Sequence, residues 1–333
     1  MTLPTGVLSR LSGGTRQSAR GYSLDPQTHM LLELDRLLGF PKLHDLSIDK
    51  ARAENRRSVR LVAPEPMPVH RVENVTLGTA PVPLRARVYV PRAFDGPAGA
   101  LVYFHGGGFC ICDLDTHDAF CRELAVKADI VVISVDYRMG PEQRFPAAVD
   151  DSIAAYRYVR EHAAEFGVDA NRVAVGGDSA GGNLSAVICQ SAEQGGFPAP
   201  FFQLLIYPAL EFITVSPSRR EFGKDLFLTQ TLMDWFLDNY FEPGADRTEV
   251  RASPARATSL RGQPPAHVVT AGFDPLLDEG EAYAQRLEQD GVRVTYQFEP
   301  ALIHGFLQMS GAVEAAEQAN DRICRAVRTA FFR

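Results

Sequence analysis

The chain has 333 residues, 45% hydrophobic and 23% charged, with a net charge of −7 at pH 7 and a pI near 5.7. The acidic balance excludes a polyanion-binding surface, since the densest basic stretch, Arg52 to Arg60, holds only four arginines among mixed residues. No apolar run nears the ~20 residues of a membrane span, and length over about 150 allows two domains or one large α/β domain.

Residues 1–24 carry Arg10, Arg16 and Arg20 but no continuous apolar stretch, so a secretory signal is not expected. Residues 1–21, rich in Gly, Ser and Arg, read as a loose tail, with an organelle transit peptide as the alternative. Asp25-Pro26 opens a helix, with Asp as N-cap and Pro at the first helical position. Met30, Leu31, Leu34, Leu37 and Leu38 supply its apolar stripe, and Pro41 is expected to end it. A short charged helix is expected over 51–60, and Pro64, Pro66 and Pro68 punctuate a linker.

Eight strands are expected after the linker: Arg71–Leu77, Leu84–Val90, Ala100–His105, Ile130–Asp136, Arg172–Gly176, Phe202–Tyr207, His267–Ala271 and Val292–Phe298. The first two, joined by a short Gly/Pro turn, read as an antiparallel edge. Runs 101–104, 130–135 and 203–206 are almost wholly apolar, as strands buried on both faces require. Helices are expected over 117–128, 147–166, 180–194 and 279–290, and this alternation predicts a doubly wound α/β sheet. Almost sixty residues separate the strand ending near Pro208 from that starting near His267. They hold Thr229–Phe241, with Leu232, Met233, Phe236, Leu237 and Tyr240 on one helical face, and the only tryptophan, Trp235. Such an insertion lies where α/β enzymes bind ligands.

Cys110, Cys112, Cys121, Cys189 and Cys324 are too few and scattered for a disulfide framework, and indicate a reducing, cytoplasmic setting. Cys110-Ile111-Cys112 lacks histidine at zinc-finger spacing, so no metal and no organic cofactor is expected, although His117 lies near.

Gly177-Asp178-Ser179-Ala180-Gly181 follows the apolar run 172–176, placing G-x-S-x-G where a strand ends and a helix begins. A tight turn there exposes a serine hydroxyl, which still needs a base, a carboxylate to orient the base and N–H donors for an oxyanion. Of eight histidines, His304 in Ile303-His304-Gly305-Phe306 follows the last strand. His29, His44, His70, His117 and His162 fall on helices or linkers and are expected to be solvated, and His267 reads as structural. The carboxylate candidates are Asp274, Asp278 and Glu279. Asp274 directly follows a strand and is also a candidate N-cap ahead of Pro275. His105-Gly106-Gly107-Gly108-Phe109 supplies flexible backbone after another strand. Gly106 and Gly107, with Ala180 N–H, are the expected oxyanion donors. A phosphate loop is the rival reading, without a G-x-x-x-x-G-K-[ST] or G-x-G-x-x-G pattern to support it.

The order Ser179, Asp274, His304 is that of α/β-hydrolases. The chain resembles the hormone-sensitive-lipase-like (family IV) carboxylesterases of that superfamily over about residues 70–333. The resemblance rests on His105 to Phe109, on Gly177 to Gly182 with Asn183, on Asp274-Pro275-Leu276 and on His304-Gly305-Phe306. It also includes Asp136-Tyr137-Arg138, Pro141-Glu142, Arg144 to Ala148 and Asp150-Asp151. Met139-Gly140 departs from the Leu-Ala that members often carry. The resemblance implies an eight-stranded, mostly parallel sheet flanked by helices, with a catalytic domain of 66–208 and 256–333. It also implies a helical cap built from residues 1–65 and the insertion 209–255. Ser179 would be nucleophile, His304 base and Asp274 its orienter, with Phe109, Asp178, Phe227, Leu228, Trp235 and Phe236 as substrate-contact candidates. The expected substrate is a small, fairly apolar ester, with lactonase, amidase or deacetylase chemistry, or a non-catalytic receptor, as alternatives. The oligomeric state stays open, a homodimer included.

Overall fold

A computed structural model describes residues 14–332. Of the loose tail expected over 1–21, the first thirteen residues lie outside the described residues. From residue 14 the chain makes a turn closed by a bridge between Gln17 and Ser23. Helix α1 (Pro26–Leu38) starts as expected, with Thr28 N–H donating to Asp25 at 2.8 Å. Gly39, not Pro41, ends it, because Gly39 adopts φ 64° and returns its N–H to Asp35 O. The apolar stripe of α1 is largely unburied, with Leu37 and Leu38 69% and 65% exposed. Helix α2 (Ile48–Val62) is longer than expected and buries Ala51, Asn55 and Val59, each one turn apart.

One eight-stranded sheet follows: β1 (Arg71–Leu77), β2 (Leu84–Val90), β3 (Ala98–Phe104), β4 (Val131–Asp136), β5 (Val168–Asp178), β6 (Gln203–Ile206), β7 (Ala266–Phe273) and β8 (Val294–Ile303). Its order is β1-β2-β4-β3-β5-β6-β7-β8. Strand β2 pairs antiparallel with β1 and β4, and every other pairing is parallel. Side chains alternate between the faces. Val102, Phe104, Ile133 and Val175 enter one core, and Leu101, Tyr103, Val132 and Ala174 enter the other. Strands β3 and β6 are buried throughout, which explains their apolar runs.

The first core is closed by α4 (Ala147–Glu161) and α5 (Ala180–Gln194), and the second by α3 (Asp118–Ala128) and α9 (Glu314–Phe332). Helix α9 was not among the sequence expectations. Its buried stripe, Ala316, Ala319, Ile323, Val327 and Phe331, begins with small residues that give a weak hydrophobic signal. Helices α6 (Pro217–Phe222) and α7 (Gln230–Tyr240) lie in the long insertion, and α8 (Leu277–Gln289) follows β7. No helix among the described residues is long and apolar enough to cross a membrane.

The loops after β3, β5, β7 and β8 leave the same edge of the sheet, because these strands run parallel. That edge gathers the Gly-rich loop, Ser179, Asp274 and His304.

His267, on β7, serves the sheet. Its ring nitrogens lie 2.7 Å from Thr295 Oγ1 and 3.1 Å from Gln297 Oε1, and burial lowers its pKa to about 4. The unfolded chain takes up this proton near pH 6.5, before the folded chain does. Stability is therefore lost as pH falls from about 6.5 to about 4, at up to about 1.4 kcal/mol per pH unit from this group. Urea titrations across that range should show the loss in the parent chain and a shallower slope in His267→Gln.

Candidate active site

Ser179 sits on a backbone turn with φ 53°, unusual for a residue with a side chain. Its N–H donates to Ile206 O at 2.9 Å, and its carbonyl accepts from Asn183 and Ala209 N–H at 3.1 Å each. The turn is thereby tied to β6, to α5 and to the chain after β6. Gly177 and Gly181 permit it sterically, because a Cβ on either would overlap the Phe104 carbonyl oxygen at the end of β3.

His304 Nε2 lies 3.0 Å from Ser179 Oγ, and His304 Nδ1 lies 2.8 Å from Asp274 Oδ2. Asp274 is fully buried, and its Oδ1 accepts Leu276 N–H at 2.8 Å. It is not the cap of α8, which begins at Leu277 after Leu276. The other two acidic candidates are engaged elsewhere. Asp278 accepts Arg20 and Ser218 N–H, so it clasps the N-terminal segment and α6 to the start of α8. Glu279 accepts Arg219 at 2.9 Å and Leu210 N–H at 2.7 Å, and burial pushes its carboxyl up to about 7 against that arginine.

The Gly-rich loop corrects one expectation. Gly106 N–H donates to Asp178 Oδ1 at 2.9 Å, so it is already engaged. Gly107, Gly108 and Ala180 border the cavity beside Ser179, and their N–H groups have no protein acceptor among the described residues. Asp178 is likewise committed to this loop, receiving Tyr103 OH at 2.7 Å and facing His117 Nε2 at 3.1 Å. Burial alone would raise its carboxyl pKa, but His117 and the hydrogen bonds from His117 and Tyr103 hold it below the usual range. His117, expected to be solvated, is 1% exposed. The sequence places it at the start of a helix, and tertiary contacts with Asp178, Tyr103, His105 and Gln308 bury it.

The cavity measures about 90 Å³, several times the roughly 10–15 Å³ that holds one water. Phe109, Phe227, Leu228 and Phe236 line it, together with Leu232, Met233 and Leu237 of α7. Trp235 does not. It stands beside that inward stripe and packs on Phe236 at 5.3 Å between ring centroids. Leu43 and Asn55, from the N-terminal region, complete the lining without any motif to announce them. Cys112 also borders the cavity, but burial pushes its thiol up to about 12, which keeps it protonated and unreactive.

A parallel-sheet edge that joins a serine, an imidazole and a carboxylate in this order defines a hydrolase site of the α/β type. The family model for the alpha/beta hydrolase fold matches residues 101–308, and the chain belongs to that family, in its hormone-sensitive-lipase-like group. It is 42% identical to the carboxylic ester hydrolase LipN of Mycobacterium tuberculosis, across 92% of this chain and 83% of that protein. It is 37% identical to an ethyl acetate hydrolase of Pseudomonas putida, across 83% and 88% of the two chains. Among solved structures, an α/β-hydrolase enzyme from the metagenome of Lake Arreo superposes with a TM-score of 0.90 at 42% identity, covering 92% of this chain and 98% of that one.

Phe236 and Trp235 separate the cavity wall from its flank. Phe236 rests directly on Gly108, where a Cβ would strike its ring. Phe236→Ala should lower kcat/KM for a short p-nitrophenyl ester by roughly 10²-fold through a misplaced loop, and Trp235→Ala by only a few fold. Steady-state kinetics on both variants checks the contrast.

Proposed function

We propose that this protein is a serine carboxylesterase that hydrolyses small, fairly apolar esters through an acyl-enzyme. The observation that carries the reading is the continuous hydrogen-bonded line from Ser179 Oγ through His304 to Asp274. His304 Nε2 removes the serine proton as Oγ attacks the ester carbonyl, and Asp274 orients the ring and stabilises its positive charge. The N–H groups of Gly107, Gly108 and Ala180 receive the oxyanion. His304 then protonates the leaving alcohol, and water repeats the sequence on the acyl-enzyme.

Leu228, Leu232, Met233, Phe236 and Leu237 support an apolar substrate, and the activity named for the Pseudomonas putida relative, ethyl acetate hydrolysis, agrees with a small one. The N-terminal helices and residues 209–255 act as a cap in this reading. Support comes from Leu43 and Asn55 of the N-terminal region and from α7, which line the cavity together. A reducing, cytoplasmic setting is supported by five cysteines that are all buried and unpaired. His304 within hydrogen-bond reach of Ser179 speaks against a non-catalytic receptor.

Ser179→Ala should reduce p-nitrophenyl butyrate turnover by about 10⁴-fold or more, and Asp274→Asn by about 10⁴-fold. A fluorophosphonate should label the parent chain stoichiometrically at Ser179 and fail on His304→Ala. Unchanged turnover in Ser179→Ala would falsify the assignment.

A further inference from the structure

Directly before Ser179, and under the Gly-rich loop, lies a buried histidine–carboxylate pair with no place in the proton relay. Asp178 Oδ1 faces three groups: Gly106 N–H at 2.9 Å, Tyr103 OH at 2.7 Å and His117 Nε2 at 3.1 Å. Asp178 is 5% exposed and His117 1%. The next peptide is held as well, since the Gly106 carbonyl lies 2.7 Å from His105 Nδ1. The His105 ring stacks on Tyr137, whose hydroxyl donates to His105 O at 2.7 Å.

The hydrogens around His117 can be assigned. Thr116 Oγ1 donates its one hydrogen to Asp113 O at 2.8 Å and accepts Asp113 N–H at 2.9 Å. At 3.0 Å from His117 Nδ1 it can therefore only accept. Nε2 faces a carboxylate oxygen. Gln308 Nε2 is nearly equidistant from the two ring nitrogens, 3.5 and 3.4 Å, which sets it over the ring and in line with neither lone pair. Both ring nitrogens thus face acceptors, Thr116 Oγ1 and the Asp178 carboxylate, an arrangement that a doubly protonated imidazole satisfies.

The charge matters because of where it sits. A carboxylate is a strong acceptor for fixing the Gly106 peptide, but an unpaired anion here would repel the negative charge that develops on the substrate oxygen. We propose that His117 and Asp178 are a positioning pair for the oxyanion loop. Asp178 fixes the Gly106 peptide so that the next two N–H groups face the reacting carbonyl, and His117 cancels the charge that would oppose the oxyanion. The inference rests on the esterase reading, with Ser179 as nucleophile and Gly107 and Gly108 among the donors.

The test is a double-mutant cycle on p-nitrophenyl butyrate with His117→Ala, Asp178→Asn and both together, plus His117→Gln. His117→Ala leaves the carboxylate unpaired, and its kcat should fall about 10²-fold with KM changed by less than about threefold. Adding Asp178→Asn removes the stranded charge and should restore about tenfold of the loss. His117→Gln keeps a donor toward Asp178 and should fall between the parent and His117→Ala, which keeps the test open if the alanine variant fails to fold. Affinity for phenylboronic acid, which forms a tetrahedral adduct on the serine, should weaken in step with kcat. Fluorophosphonate labelling of the parent at Ser179 tests the esterase reading separately. With labelling intact, effects that simply multiply in the double variant, or an unchanged kcat in both His117 variants, overturn the pair.

Discussion

The carbonyl oxygen of Phe104 leaves no room for a side chain between the ends of β3 and β5. A Cβ on Gly177 or on Gly181 would overlap it. This contact brings the strand that feeds the Gly-rich loop against the turn that carries Ser179. Steric exclusion at one oxygen thus fixes the spacing between the proposed nucleophile and its oxyanion donors. The parallel register of β3 with β5, where Phe104 pairs with Gly177, puts both loops at the same height on the sheet edge. Hydrogen bonds from the Ser179 backbone to β6 and α5 then hold the turn at its positive φ.

A second close approach links this edge to the substrate wall. Phe236 of α7 occupies the space a Gly108 side chain would need, and Asn239 O fills that of Gly140. The Phe109 ring stacks on Tyr240 at 3.9 Å between centroids, with planes 7° apart. Arg144 donates to Asp238 O at 2.7 Å and also to Phe241 O, which anchors the C-terminal end of α7. The apolar wall and the Gly-rich loop therefore form one packed unit. Substitutions in the wall act on the loop as well as on cavity size.

Features that depend on local backbone chemistry were legible in the sequence. The buried strands announced themselves as apolar runs, β1 and β2 matched their expected spans, and Asp25-Pro26 marked a helix start. The Ser179, Asp274 and His304 loops followed from strand ends and chain order. What escaped depended on contacts between distant segments. His117 looks like a solvated residue at a helix start until the fold brings it against Asp178 at the end of β5. Gly106 looks equivalent to Gly107 and Gly108 until the carboxylate reaches its N–H. Trp235 differs from Phe236 only by one residue's rotation on α7, which a stretch with apolar residues at 232, 233, 235, 236 and 237 does not resolve.

The three acids after β7 show how partners divide roles among like residues. Asp274, Asp278 and Glu279 lie within six positions, and any of them has the chemistry to orient an imidazole. Asp278 meets Arg20 in a two-pronged contact, with Glu221 on the same guanidinium, which binds the N-terminal segment to α6 and α8. Glu279 meets Arg219 and the Leu210 N–H, which braces the chain leaving β6. Each of these carboxylates thus bonds an arginine, and His304 bonds Asp274. Among the described residues Asp274 has no arginine or lysine as a hydrogen-bond partner, and His304 and one backbone N–H occupy its two oxygens. A guanidinium there would compete for the carboxylate and oppose a positive imidazole beside it. The cations that clasp the proposed cap are thus set one helical turn beyond Asp274, close enough to fix the cap over the site and outside hydrogen-bonding reach of the carboxylate facing His304.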